Sequence, residues 1–465
     1  MFSIPAVQTS VAKKVTNSLN ETYGTDINVK AISISYNGKV VLDEVYIADH
    51  HQDSLISAKE INTSLINVPA ILSRSHLDFG DLTADRLKLN IRHYKGEEKD
   101  NLSIFGDKFD TGKPQQQPFV LTISHIIAYD SELSYVDENL DNPEILFFND
   151  LNINAANLVV EGPNVSVDIE SLKAKEQRGI EITNLAINFR YTLESMDFED
   201  LVLETPNSKL VSDIRFDYEE GGLADFENNV MITANFKESS ADTQDLQKLY
   251  AEFGTTEDFN FNGDFKGTLN DFELQNWRLT GMDRTVVNGN LHFTDLVDQQ
   301  KTFELSGNFE ELSTNYYDLV NLLPNILGNN LPEKLREIGS ANLSGFLSAT
   351  PSKVVTNSTI TTQLGNANLN LTLDDLNDSD FARYKGNVQF NQFNLGRLLG
   401  NSSLGKATFN LDVDGIGFTQ ATLNTRLEGT IKKLRFNGYT YTNIEVLGVL
   451  DNPYFNGELV SNDPN

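Results

Sequence analysis

Apolar and polar residues alternate along most of this chain with a period of two, after a short opening segment with a different rhythm. In that segment Ile4, Val7, Val11, Val15 and Leu19 recur at three- and four-residue steps and form one apolar stripe. Ser3 can cap it, and Pro5 sits near the first turn, where its missing N–H costs nothing. Gly24 follows Tyr23 as a stop. The spacing predicts an amphipathic helix from about Ile4 to Tyr23.

The period then changes. INVKAISISYNG alternates Ile27 and Val29, then Ile32, Ile34 and Tyr36, and closes on the hairpin signal Asn37-Gly38. KVVLDEVYIAD reads as the return strand. Leu185, Ile187, Phe189 and Tyr191 in LAINFRY continue the texture. So do Leu369, Leu371 and Leu373 in ANLNLTLDD, and Phe409, Leu411 and Val413 in ATFNLDVDG. Gly263, Gly289, Gly307, Gly386 and Gly429 each open a short alternating run. Their intervals are irregular, so they mark a strand habit and not a solenoid period.

Helical interruptions are few. DTQDLQKLYAEFG places Leu246, Leu249, Tyr250 and Phe253 on one face, ahead of Gly254. NYYDLVNLLPNILGNNLPEKLREIG reads as two short helices, the first broken by Pro324 and Gly328 and the second started by Pro332. These insertions fall near residues 242–253 and 315–338, and FNLGRLLG supplies one further helical turn. FDTGKPQQQPF, Phe109–Phe119, reads as a long surface loop. So few helices exclude an α/β sheet, in which helices recur between strands.

Strict alternation gives each strand one apolar and one polar face. The strands are many and similar, little else covers them, and apolar residues make up only 39 % of the chain. A single curled layer fits this better than a thick core, and a strip of exposed apolar surface usually marks a binding surface. Leu185, Ile187, Phe189, Leu369, Leu371, Leu373, Phe409, Leu411 and Val413 are the candidates for an acyl-chain-facing side. The alternative for the same residues is a dry protein core.

Composition narrows the function. The 36 Lys and Arg against 67 Asp and Glu leave a net charge of -31. That balance argues against nucleic acid, which needs clustered cations, and against docking of the body on anionic lipid. Cysteine is absent, which excludes disulfides, thiolate–zinc sites and thiol nucleophiles. Trp277 alone is a weak sugar platform and reads as a packed strand residue. No run of 18 apolar residues spans a bilayer, and no signal peptide is visible. Met1 is followed at once by helix interior, which points to an engineered start.

One stretch, ADHHQDSLI (Ala48–Ile56), has the look of chemistry. In an extended strand His50 and His51 point to opposite faces, so one strand does not offer both to one ion. Asp49, His51 and Asp53 share a face, but the density of turn residues favours a polar turn in which Asp49 or Asp53 accepts backbone N–H groups. The reading is therefore no metal and no cofactor. Asp374-Asp375-Leu376-Asn377-Asp378 and Asp412-Val413-Asp414-Gly415 lack the calcium-loop spacing and read as turns. No G-x-S-x-G elbow, Walker loop or H-E-x-x-H occurs, so an enzyme is not expected.

The N-terminal residues go beyond texture. Ile4, Pro5, Val7, Gln8, Ala12, Leu19 and Asn20, followed by Gly38, Val40, Leu42, Tyr46, Ile47, Asp49, Asp53, Leu55 and Ile56, resemble the start of TamB-like members of the AsmA superfamily. Near the other end, YKGNVQFNQFNLGRLLGNSSLGKATFNLDVDGIGF and LRFNGYTYTNIEVLGVLDNPYFNGEL look like the internal β-repeats of those proteins. The resemblance is most specific in the first 60 residues. It implies a mainly β fold: an elongated, partly open, taco-like β-groove of repeated antiparallel, meandering strands with short inserted helices.

The domain expectation that follows is a helix over 1–24 after a removed inner-membrane anchor, then a continuous groove over 25–465, with the C-terminal TamB domain missing. The implied function is an inter-membrane bridge in the periplasm that conducts phospholipids and aids outer-membrane protein assembly. Its implied partners are phospholipids, the inner membrane through the missing anchor, and a BAM-type outer-membrane barrel through the missing domain. The alternative from the residues is a structural or adhesive envelope β-protein that binds a protein or glycan.

Overall fold

The computed structural model describes residues 16–35, 39–65, 76–109, 120–140, 143, 145–219, 221–296, 302–325, 328, 331, 333–419, 421–451 and 454–463. The protein is mainly β, with 24 strands and few, short helices among these residues. It divides into two compact units, Met1–Ala234 and Asn235–Asn465. No described helix is long and apolar enough to cross a membrane.

In the first unit residues 16–23 are helical, while the part of the predicted helix from Ile4 to Val15 lies outside the described residues. Gly24 ends the helix in the left-handed region (φ 65°), its N–H donating to the Asn20 carbonyl at 2.9 Å. The Asn20 side chain then fixes the exit. Its Oδ1 accepts from the Ile27 N–H and the Thr25 hydroxyl, both at 2.9 Å.

The first strands, β1 (Asp26–Ile34) and β2 (Lys39–Ala48), pair antiparallel with Ile34 opposite Val40, as the hairpin reading requires. Asn37-Gly38 itself lies outside the described residues, as do residues 110–119 of the predicted loop.

The next strands depart from an antiparallel meander. β4 (His76–Asp85) and β5 (Lys88–His93) both pair antiparallel with β3 (Ser54–Leu65) and both pair parallel with β6 (Val120–Asp137). Arg86, at φ 54°, interrupts what is otherwise one long strand, and its N–H donates to the Tyr129 carbonyl at 3.0 Å. A parallel neighbour cannot be reached by a tight turn and needs a crossover. The connection from β5 to β6 makes it, and the helix Asn101–Asp107 lies within it. Antiparallel order resumes through β7 (Ile145–Glu161), β8 (Asn164–Glu176), β9 (Glu181–Tyr191), β10 (Ser195–Glu204) and β11 (Lys209–Asp217).

The boundary between the units falls within β12 (Met231–Asp242). The second unit then runs as an unbroken antiparallel meander. Its strands are β13 (Asp258–Gly267), β14 (Asp271–Gly281), β15 (Thr285–Thr294), β16 (Glu304–Asn315), β17 (Ser340–Ala349) and β18 (Val354–Thr362). They continue as β19 (Gly365–Asp374), β20 (Arg383–Asn394), β21 (Leu404–Ile416), β22 (Asn424–Phe436), β23 (Tyr439–Asp451) and β24 (Tyr454–Ser461).

Helices interrupt this meander where expected. They are the Tyr316–Leu322 helix, the 3-10 turn Glu333–Ile338 and the Leu395–Leu399 helix, the first and last of them capped locally. Asn315 accepts from the Tyr317 and Asp318 N–H groups, and Asn394 from that of Arg397. The helix at Thr243–Leu249 is shorter than its apolar repeat suggests, and Tyr250 is already extended. Its buried residues are Thr243 and Asp245, whereas Leu249 and Tyr250 are exposed. Asp242 caps the first turn and the Thr243 hydroxyl donates to the Glu257 carbonyl at 2.9 Å, so polar anchoring decides the face.

Two local rules shape the strands. Asp200, Asn276 and Gln392 have positive φ and sit where the register shifts, each an extra residue in its strand. Their freed N–H groups find side chains on the next strand: Asp213 at 2.9 Å, Asn290 at 2.8 Å and Thr408 at 3.0 Å. The recurring glycines do not open strands, as the sequence pattern suggests, but lie inside them. At Gly386 (φ 141°) an added Cβ would stand 2.0 Å from the Asn370 carbonyl oxygen, and at Gly429 (φ 143°) 2.3 Å from that of Asn410. Only glycine allows so close a backbone approach.

Candidate functional site

The register of the second unit turns the alternation of single strands into continuous rows on one face. One row runs Phe265, Leu274, Leu291, Gly307, Leu347, Thr356, then Leu371, Gly386, Val413, Leu427 and Gly448. The next runs Trp277, Gly289, Phe309, Gly345, Ser358, then Leu369, Val388, Leu411, Gly429 and Val446. A third links Leu279, Val287, Leu312, Leu343, Ile360 and Ala367 to Phe390, Phe409, Ile431 and Ile444. A fourth contains Phe272, Phe293, Leu305, Ala349, Val354, Leu373 and Tyr384.

All six candidates of this unit, Leu369, Leu371, Leu373, Phe409, Leu411 and Val413, therefore fall on one apolar face. Leu411 is buried and the other five are half-buried. Glycines stand beside large side chains, as Gly289 does between Trp277 and Phe309. That pairing keeps the face filled where a strand needs close approach. Trp277 stacks on Phe261 at 5.4 Å, as a packed strand residue does.

The reverse face is polar. Asn370, Asn387, Asp412 and Glu428 stand in register there, with the Asn387 amide donating to Asp412 at 2.8 Å and Lys385 paired with Asp414 at 2.9 Å. Asp412 and Asp414 thus lie inside β21 and not in a turn, because Val413 between them holds the strand on its apolar side. The Asp374–Asp378 stretch does turn, with Asp375 at φ 59° and Asp378 accepting from the Asp380 N–H at 2.9 Å.

Leu185, Ile187 and Phe189 belong to an apolar face of the first unit. Leu185 stands opposite Leu172 and Leu203, and Ile187 opposite Ile169. Phe189 stands opposite Val167 and Phe198, with ring centroids of the two phenylalanines 5.3 Å apart. Sequence reading missed Val388, Phe390, Leu427 and Ile431. The alternating runs at Gly386 and Gly429 were legible, but only cross-strand register shows that their apolar sides join the rows.

The histidine stretch is a turn between β2 and β3, as expected, organised around buried Asp49. Asp49 Oδ1 accepts from the N–H groups of His51 at 2.9 Å and Asp53 at 3.0 Å, forming an Asx turn. Its Oδ2 accepts from the Tyr94 hydroxyl at 2.7 Å and the buried Asn101 amide at 2.9 Å. Burial alone would raise the Asp49 carboxyl, but these hydrogen bonds outweigh it and hold the group below the ordinary carboxylate range. Burial first, and then the neighbouring Asp49 and Asp53 carboxylates, push the Tyr94 hydroxyl well above its ordinary value.

Both imidazoles nevertheless converge, contrary to the opposed directions of a strand. In the turn, His50 Nε2 lies 2.8 Å and His51 Nε2 2.7 Å from the two carboxylate oxygens of Glu97. Residue 97 belongs to the crossover after β5, so nothing local in the sequence announces it. His93 Nε2 donates to the Glu97 carbonyl at 2.7 Å and steadies that loop. The hydrogen bond with Glu97 raises the His51 imidazole, and in return His51 lowers the Glu97 carboxyl. His50, His51 and Glu97 form a three-ligand constellation whose donor atoms lie within 4.8 Å of one another.

No family model, no curated protein and no solved structure matches this chain.

Proposed function

We propose that this chain is a non-enzymatic lipid-conducting protein of the AsmA/TamB type, whose apolar β face carries phospholipid acyl chains across the cell envelope. The observation that carries this reading is the set of apolar rows in register, three across β14–β23 and a fourth across β14–β20, most of whose candidate residues remain half-buried. A face that served only as a dry core would be closed over by a second layer. The ten strands β14–β23 at about 4.8 Å spacing extend roughly 45 Å along the sheet, and four rows two residues apart span about 20 Å of strand. That area exceeds what one acyl chain covers, so lipids would move along the face and not sit in one pocket. The polar reverse face and the high negative charge keep such a sheet soluble on its other side.

The resemblance of the N-terminal residues to TamB-like proteins supports the same reading. That resemblance implies a periplasmic protein, with the inner membrane and an outer-membrane barrel of BAM type as partners. Solvent extraction of the purified chain followed by mass spectrometry tests it. Phospholipid near one or more per chain is expected, and the double variant Leu371→Asp with Leu411→Asp is expected to lose it while the first unit stays folded. A lipid-free extract of the wild-type chain favours the structural or adhesive alternative.

A further inference from the structure

We propose that His50, His51 and Glu97 form a binding site for a divalent transition-metal ion, with Zn²⁺ the best match. Two imidazole nitrogens and one carboxylate are the donor types that zinc takes, whereas Ca²⁺ and Mg²⁺ want oxygen ligands throughout. The three side chains already converge, with both Nε2 atoms within 2.8 Å of Glu97. Tetrahedral zinc with bonds of about 2.0–2.2 Å holds its ligand atoms roughly 3.3 Å apart, and the three donor atoms here already lie within 4.8 Å of one another.

The surroundings fit a ligand set held in place. The His51 backbone is fixed by Asp49 Oδ1 and the Glu97 backbone by His93, so two of the three ligands are positioned from behind. Two rings share one carboxylate, each through Nε2, the atom that would ligate the ion. The His51 side chain is 45 % exposed, which gives an ion a path from solvent and leaves a coordination position open to water.

The location suggests the purpose. The ligands come from the β2–β3 turn and from the start of the crossover, segments 46 and 47 residues apart. A bound ion would clamp the crossover onto the turn and lock the parallel β4–β6 and β5–β6 pairings, the topological exception in this unit. The site stands independently of the lipid-carrying reading, since none of its residues belongs to the apolar rows.

The test uses the tag-free chain, stripped with chelator and titrated with Zn²⁺ by calorimetry. One ion per chain with micromolar or tighter affinity is expected. His51→Ala and Glu97→Gln should each weaken binding at least tenfold, while His292→Ala, on an exposed strand residue, should not change it. Two readouts on the wild-type chain avoid dependence on variant folding. Co²⁺ should give the visible absorption of a four- or five-coordinate site, and Zn²⁺ should protect His51 from imidazole-acylating reagent. A wild-type chain with neither the cobalt band nor protection of His51 overturns the proposal, as does zinc affinity unchanged in both ligand variants.

Discussion

Asp49 and Tyr94 meet across 45 residues of sequence, the tyrosine hydroxyl donating to Asp49 Oδ2 at 2.7 Å. One carboxylate thereby shapes its own turn through Oδ1 and grips the crossover through Oδ2. Replacing Asp49 by Ala removes four hydrogen bonds and leaves the buried Asn101 amide only the Asn90 carbonyl, at 3.2 Å. The expected cost is about 2–4 kcal/mol, because four hydrogen bonds to one buried carboxylate are lost together. Urea unfolding followed by fluorescence or circular dichroism measures it. A loss below that of a typical surface substitution would show that the Asp49 network is incidental.

The His51–Glu97 pair makes stability depend on pH. The folded-state value of His51 lies above its reference of 6.5, so its contribution is complete below 6.5 and fades as pH rises through the raised value. The folded-state value of Glu97 lies below its reference of 4.5, so its contribution is present above 4.5 and fades as pH falls through the lowered value. The difference in melting temperature between the wild-type chain and His51→Ala, measured in chelator, should therefore peak between about pH 4.5 and 6.5 and shrink on both sides. A difference that grows steadily toward alkaline pH would contradict the pairing.

Gly386 tests the close strand approach in the second unit. Gly386→Ala should cost about 2 kcal/mol or more, because its Cβ would collide with backbone at Asn370 and its φ of 141° disfavours any side chain. Gly400→Ala, where nothing lies within 4 Å of an added Cβ, meets only the strain of φ 65° and should cost less. Equal midpoint shifts for the two variants would assign the Gly386 effect to φ alone.

The apolar face is graded, and truncations should follow the grading. Leu411 is 7 % exposed and Leu447, on the opposite face, is 47 % exposed. Leu411→Ala should destabilise by about 2–3 kcal/mol, and Leu447→Ala should stay within about 0.5 kcal/mol. Denaturant midpoints of the two single variants check this directly.

Much of the architecture was legible in the chain because an alternation of period two is a local property. Leu369, Leu371 and Leu373 announce their strand and their shared side without reference to any neighbour. Gly24, Asn315 and Asn394 end or begin helices through bonds that span only a few residues. The glycine habit was visible too, but its meaning was not. Gly386 is defined by the carbonyl of Asn370 across the ladder, a contact that pairing creates.

The histidine turn divides the same way. Its Asx geometry follows from Asp49 and the two N–H groups just after it, and sequence alone determined that a polar turn stands between β2 and β3. Which way the two imidazoles point was decided elsewhere. The crossover that lets β4 and β5 lie parallel to β6 brings Tyr94, Glu97 and Asn101 to the turn, and long-range pairing of that kind leaves no periodic trace in the chain. Likewise, each strand determined its own apolar side, but only the register of β13–β23 joined those sides into rows, because a row consists of one residue from each strand.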